Sequence, residues 1–303
     1  MRRGRTRRGR RRDPVCPRPL RILFSPVCFL PVSNNLRRVV TALLAAPVVL
    51  GMAYWGGWVF AALVAGIGLL GQRELYRMAR RTGAHPHAVA GYCLGACVVA
   101  LFVAPGLWPL AAAVLLVFLA AAPLVVPPAQ FLSSFTATLA GAVYPTALLG
   151  SLVGLRQVRS ATVTDTEAFQ LVVFVLLVVW ATDVAAFYVG RTVGTHALAP
   201  TISPNKTWEG TLGGFGVALL VGGLLKMLWV SVLSWPHVAA LVLIGGGVSQ
   251  LGDLLESRLK RSTGTDDSSH VLPGHGGMLD RFDAMAVAAP LMVLYLHGVA
   301  GLF

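Results

Sequence analysis

The stretch Ser257–Asp283, SRLKRSTGTDDSSHVLPGHGGMLDRFD, is a polar, glycine-bearing interruption in a chain that is otherwise largely hydrocarbon. Apolar runs beginning near Pro236 and Ala284 border it, so it reads as a loop between two membrane-crossing helices together with the polar ends of both. The same alternation recurs outward from it. Apolar runs begin near Val39, Trp55, Ala88, Leu107, Phe131, Phe169, Gly210, Pro236 and Ala284, nine in all. Crossing about 30 Å of hydrocarbon as helix takes roughly 17–25 such residues. The first two runs are separated only by Tyr54-Trp55-Gly56-Gly57, which demands a very tight turn. With 56% hydrophobic and 12% charged residues and a mean hydropathy of +0.72, the composition excludes an ordinary soluble domain and implies an all-α polytopic membrane protein.

Lysine and arginine set the expected orientation, because cytoplasmic loops retain positive charge. With the amino terminus inside, 22 of the 25 basic residues fall on the cytoplasmic side; Arg156 and Arg159 lie outside and Lys226 lies within the seventh run. The expected location is the cell (inner) membrane, with the polar loops facing the cytoplasm. The net charge of +13 does not point to nucleic acid, since eight arginines belong to Met1–Arg12 alone. Residues 1–35 read as a basic, proline-rich disordered extension, suited to anionic headgroups or to reinforcing topology. Residues 36–160 read as the amino-terminal membrane helices and 161–303 as a carboxyl-terminal membrane region that carries the chemistry. Cys16, Cys28, Cys93 and Cys97 have no zinc-site spacing and read as small, inert residues.

Eight of the twelve acidic residues lie between Asp183 and Asp283. Carboxylates are costly near lipid unless they face water, a partner or a metal. In Gly252-Asp253-Leu254-Leu255-Glu256-Ser257-Arg258-Leu259-Lys260-Arg261, the residues Asp253, Glu256, Ser257 and Lys260 are spaced to form one polar stripe on a helix. Gly245-Gly246-Gly247 just before it permits close approach of other backbone. Downstream, Gly274-His275-Gly276-Gly277 gives a tight path into the ninth run, which Asp280, Arg281 and Asp283 open. Acids at a helix start are also favoured by its dipole, so simple helix-start electrostatics is the competing explanation. Hard oxygen ligands beside lysine and arginine suit magnesium bridging carboxylates to phosphates, and do not suit zinc. A third element, Ser203-Pro204-Asn205-Lys206-Thr207-Trp208-Glu209-Gly210, precedes the seventh run, with Ser203 and Pro204 expected as helix N-cap and first-turn residue. Lys206 adds a point charge for a phosphate, and Trp208 fits either an interfacial anchor or a pocket wall. Asp183 closes the sixth run and can line the same cavity or pair with Lys206 or Arg191.

Taken in order, Asp183, Ser203-Pro204-x-Lys206-Thr207-Trp208-Glu209-Gly210, Gly252-Asp253-x-x-Glu256-Ser257, Ser257-x-x-Lys260-Arg261, Asp267, Pro273-Gly274-His275-Gly276-Gly277 and Asp280-Arg281-x-Asp283 resemble the phosphatidate cytidylyltransferases, the CDP-diacylglycerol synthases. The resemblance is strong from Trp180 onward and weak through the first five runs. One position departs: Asp266 stands where the signature carries lysine. The resemblance implies an enzyme that joins CTP and phosphatidic acid into CDP-diacylglycerol and pyrophosphate, with Mg2+ held by Asp253 and Asp280, and a homodimer. Lys260 and Arg261 are then expected beside these acids in catalysis. Ser203, Lys206, Thr207, Ser257, His275, Gly276, Gly277 and Arg281 are expected to hold substrate, and Asp183, Glu209, Glu256, Asp267 and Asp283 to orient or supplement the ligands. Three other functions remain open: cytidylyl transfer to another membrane lipid phosphate, an inactive relative, and a secondary transporter with Asp183, Lys226, Asp253 and Asp280 as an ion path.

Overall fold

The computed structural model describes residues 34–265, 268–269 and 276–301. Residues 1–33 of the amino-terminal extension, with Cys16 and Cys28, and Asp266, Asp267 and His275 lie outside the described residues. Among those described, the chain forms nine helical rods: α1 (Asn34–Trp55), α2 (Gly57–Arg81), α3 (Ala88–Leu101), α4 (Trp108–Val125), α5 (Pro128–Gln157), α6 (Asp165–Val193), α7 (Trp208–Leu228), α8 (Trp235–Ser262) and α9 (Leu279–Gly298). Each starts within a few residues of one of the nine apolar runs, and the all-α expectation holds. Six rods are long and apolar enough to cross a membrane: α2, α4 with its leading 3-10 turn, α5, α6, α7 and α8. The α3 rod and the apolar part of α1 (Leu43–Trp55) are shorter, about 20 Å at 1.5 Å per residue, and α9 begins with charge.

The turn between α1 and α2 is a single residue, Gly56, whose φ of 65° belongs to the left-handed region. Arg156 at the end of α5 packs on this turn. Its guanidinium donates to the carbonyls of Ala53 (2.7 Å) and Tyr54 (2.8 Å) and to Asp165 Oδ1 at the start of α6 (2.7 Å). One arginine thus ties three helix ends together at one end of the bundle.

The core centres on α6, whose Leu171, Val172, Phe174, Val175 and Val178 are buried to within 1% of completely. It packs with Phe60 and Val64 of α2, Leu152 and Val153 of α5, and Ala288 and Met292 of α9, so one cluster runs through both halves of the chain. By contrast, α4 presents Leu115, Leu116, Val117 and Leu119 outward, as a helix bordered by lipid does. Small residues set the closest approaches. A Cβ on Gly210 would stand 2.7 Å from the Ala186 carbonyl, and one on Gly214 2.7 Å from that of Thr182, so α7 lies against α6 through a small-residue seam. A Cβ on Gly252 would stand 2.3 Å from the Asp283 carbonyl, which brings α8 and α9 backbone to backbone.

Two rods contain a π-helical turn: Ala142–Ala147 in α5 and Ile244–Val248 in α8. Such turns hold an extra residue and recur at functional sites. The second coincides with Gly245-Gly246-Gly247 and re-aims α8 just before its polar stripe.

Between α6 and α7 the chain forms a two-stranded antiparallel hairpin, β1 (Ala197–Ala199) with β2 (Ser203–Thr207). This corrects the expectation for Ser203 and Pro204, which lie in β2 and not at a helix start. The cap is Thr207, whose hydroxyl accepts the Gly210 N–H at 3.1 Å. Strand pairing and the Trp208 N–H bond to the His196 carbonyl (2.9 Å) keep the backbone extended until Thr207, so the helix starts four residues later.

Candidate active site

The expected polar stripe forms. Asp253, Glu256, Ser257 and Lys260 of α8 line one cavity of about 290 Å3 together with Asp280, Arg281 and Asp283 of α9, Asp183 of α6 and Lys206 of the hairpin. Four separate elements therefore converge on it. The Gly252 contact explains why: with the two backbones touching, residues one step away on α8 and α9 share a space.

Two lysines organise the carboxylates. Lys206 Nζ forms an ion pair with Asp253 and donates to Gln250 Oε1 at 3.2 Å. Lys260 Nζ lies 3.0 Å from Glu256 Oε2 and 3.4 Å from Asp280 Oδ1. Asp280 Oδ2 also accepts the Gly277 N–H at 3.0 Å. Asp283 is 5% exposed, with Oδ1 turned back to the Ala284 N–H (2.8 Å).

Several polar atoms in this region are buried without a hydrogen-bond partner: Asp183 Oδ1, Glu256 Oε1 and Gln250 Nε2, along with the Tyr144 hydroxyl from the π turn of α5. Buried polar groups are almost always satisfied; of these four residues Asp183 and Glu256 line the smaller cavity and Gln250 the larger one, where water or a ligand can reach them.

A second, larger cavity of about 610 Å3 shares Asp183, Lys206 and Asp253 with the first. Its remaining wall runs between α6 and α7 through Ala186, Phe187, Gly190, Thr207, Gly210 and Thr211, with Arg191, Asn205 and Gln250. Phe187 on its rim and neighbouring Tyr188 are exposed among apolar helices. One cavity is thus lined by charged and hydroxyl side chains and the other has an apolar flank, and they meet at one lysine and two aspartates.

Other expected site residues stand elsewhere. Arg261 is on the exposed side of α8 and lines neither cavity, and neither does Ser203. Glu209 faces the hairpin, where it accepts from the Thr195 hydroxyl (2.7 Å) and lies 2.6 Å from His196 Nδ1. It fastens the segment that leads into β1, the strand paired with the one that carries Lys206. Gly277 points at Glu74 and Ser268, where a Cβ would stand 2.6 Å from Glu74 Oε2. Gly276 has a φ of 81°. Cys93 and Cys97 are free thiols.

Among the described residues no three histidine, cysteine, aspartate or glutamate side chains converge into a ready-made metal cage. Magnesium is commonly held by one or two carboxylates while substrate phosphates supply further oxygens, and of the described residues Asp253 and Asp280, which line the smaller cavity, could hold one in that way.

Six helices long and apolar enough to cross a membrane, with charged groups gathered where a polar and a partly apolar cavity meet, are the features of a polytopic membrane protein with a candidate site for a charged ligand. The chain belongs to the cytidylyltransferase family, which it matches over residues 36–299. It is 32% identical to the phosphatidate cytidylyltransferase of Synechocystis sp. over 285 residues, covering 86% of this chain and 96% of that protein. It is 48% identical to the phosphatidate cytidylyltransferase of Brucella suis over 127 residues, 42% of this chain and 47% of that protein. The enzyme of the same name from Staphylococcus saprophyticus is 43% identical over 135 residues, 44% of this chain and 51% of that protein. In the last two the match spans about half the length of the relative. Membership of this family sets the transporter alternative aside.

Proposed function

We propose that this protein transfers the cytidylyl group of CTP to phosphatidic acid, giving CDP-diacylglycerol and pyrophosphate, with magnesium, at the cytoplasmic side of the inner membrane. The carrying observation is the junction of two unlike cavities at Asp183, Lys206 and Asp253. A phosphate bound there has charged and hydroxyl side chains on one side and a lipid-facing groove between α6 and α7 on the other.

The chemistry is displacement at phosphorus: an oxygen of the lipid phosphate attacks the α-phosphorus of CTP, and the bond to the β-phosphate oxygen breaks to release pyrophosphate. The attacking oxygen is already anionic at neutral pH, so the difficulty is to bring two polyanions together rather than to remove a proton. Lys206, at the junction, neutralises the lipid phosphate or the α-phosphate. Lys260 and Arg281 face the smaller cavity, where the triphosphate tail fits, Arg281 through a fork matched to phosphate oxygens. Magnesium bound by Asp253 and Asp280 would offset triphosphate charge and stabilise the leaving pyrophosphate. Because each of these aspartates is paired with a lysine, ligand entry exchanges one set of charge partners for another instead of creating buried charge afresh. The exposed Phe187 rim supports sideways entry of the diacyl chains, and the similarity to three phosphatidate cytidylyltransferases supports the choice of acceptor.

The test is label transfer. Purified protein given radiolabelled CTP, magnesium and phosphatidic acid is expected to form a chloroform-soluble labelled product, and to form none with EDTA or without the lipid. Label appearing only with a different lipid phosphate would move the acceptor; no label from a folded, magnesium-supplied preparation would overturn the transferase proposal.

A further inference from the structure

Glu74, on α2, is a buried acid that lies outside both cavities and outside every motif of the carboxyl-terminal half. Its neighbours Arg73 and Arg77 are exposed, while Glu74 itself is 1% exposed and turned into the bundle. It faces the far end of the chain. Oε2 accepts from the Ser268 hydroxyl (3.0 Å) and the Leu279 N–H (2.8 Å); Oε1 accepts from the Met278 N–H (3.0 Å) and the Ser269 hydroxyl.

An ionised carboxylate has two oxygens with about four acceptor sites and no donor. Four donors, two on each oxygen, match that capacity. Two of these donors are backbone N–H groups at the start of α9, which leaves its first N–H groups without partners inside the helix. The residue at the cap position, Met278, has no side-chain acceptor, and α9 has no side-chain cap of its own. Glu74 therefore caps α9 from a helix 205 residues earlier in the sequence. The fit excludes a side chain at Gly277, where a Cβ would stand 1.8 Å from Ser268 Oγ and 2.6 Å from Glu74 Oε2. The capped turn then carries Asp280, bound to the Gly277 N–H and reached by Lys260, and Arg281 next to it.

We propose that Glu74 is a positioning residue for the reaction: by capping α9 and holding Ser268 and Ser269, it fixes where Asp280 and Arg281 stand in the smaller cavity. The link from this clamp to turnover rests on the function proposed above; the clamp itself does not. Glutamine offers one oxygen where the site presents donors to two, and its amide would point N–H groups at N–H groups, so Glu74→Gln breaks the clamp at nearly constant volume.

The experiment is hydrogen–deuterium exchange together with kinetics on the full-length protein in lipid nanodiscs, comparing wild type with Glu74→Gln and Glu74→Ala. A tenfold change corresponds to about 1.4 kcal/mol, within reach of one lost hydrogen bond to a charged group, so roughly a tenfold rise in exchange is the expected effect. That rise is expected in a peptide spanning Met278–Arg281, with the α6 core unchanged. Turnover is expected to fall roughly 10–100-fold, the range for loss of an orienting partner. The KM for phosphatidic acid is expected to stay within about twofold, because the α6–α7 cavity does not depend on Glu74. The variant Ser269→Ala removes one donor to Glu74 without touching the acid and is expected to shift both readouts the same way by less, so a Glu74 variant that fails to insert leaves the test standing. Unchanged protection at 278–281, equal loss of protection in every helix, or turnover within about twofold of wild type despite local deprotection would overturn the proposal. If Asp280→Asn itself proves fully active, the metal assignment falls instead, and the exchange result still decides whether Glu74 clamps α9.

Discussion

The two ends of the helix bundle treat buried charge in opposite ways. At one end Arg156, 2% exposed, spends its guanidinium on two backbone carbonyls and on Asp165, and packs flat on Gly56. Its partners suffice. At the other, Asp183, Asp253, Glu256, Asp280 and Asp283 share a cavity with Lys206, Lys260 and Arg281, and oxygens of Asp183 and Glu256 stay buried and unpartnered. Membrane burial makes an unsatisfied polar atom expensive. A charge whose partners are complete contributes to the fold; a cluster left incomplete has room for a ligand to complete it.

Mutations at the two ends should therefore separate turnover from stability. The largest loss of turnover is expected for Asp253→Asn and Asp280→Asn, on the order of 10³-fold, with thermal unfolding close to wild type; radiolabel transfer and a melting curve measure the two. Lys206→Met and Lys260→Met should each cost about 10²-fold in turnover, and Lys206→Met should raise the KM for the lipid more than that for CTP, because Lys206 stands at the junction with the apolar groove. Gly252→Val tests geometry without removing a charge. Wedging α8 from α9 moves Asp253 away from Asp280, and a displacement near 1 Å costs on the order of 10² in rate. At the other end, Arg156→Met should lower stability by roughly 1–3 kcal/mol, since it strands the carbonyls of Ala53 and Tyr54, whereas the exposed Asp165 keeps Arg159 as its partner; turnover per folded molecule stays within about twofold. Smallest of all, Ser203→Ala should change turnover by less than about twofold, because Ser203 neither caps α7 nor lines a cavity. A tenfold effect there would return Ser203 to the site.

Much of this was legible in the sequence, for physical reasons that can be named. Helices in such a chain follow from apolar length, so the nine rods of the described residues begin near the expected positions, six of them long and apolar enough to cross a membrane. The α8 stripe follows from helical periodicity, which is local, and its four residues do line one cavity. What sequence periodicity does not carry is pairing between distant segments. Ser203 and Pro204 fit a helix start in isolation, but pairing of β2 with β1 across the hairpin overrides that preference and passes the cap to Thr207. Glu209 stands in a motif beside Lys206, yet its partners, Thr195 and His196, are on the strand side. Glu74 gave no signal because it sits among arginines that set orientation, and only the fold brings it to Met278 and Leu279. Gln250, three residues before Asp253 and so on the same face, follows from the same periodicity but carries no charge to mark it.

The most direct test of the central claim sets Asp253→Asn beside Arg156→Met in the same membrane preparation, measuring label transfer from CTP to phosphatidic acid and thermal unfolding for both. The expected result is a crossing: Asp253→Asn folds like wild type and transfers nothing, while Arg156→Met melts early and, below its melting point, transfers label at nearly the wild-type rate. Near-normal transfer by Asp253→Asn, or loss of transfer by well-folded Arg156→Met, would contradict the division of the molecule into a completed end and a ligand-completed one.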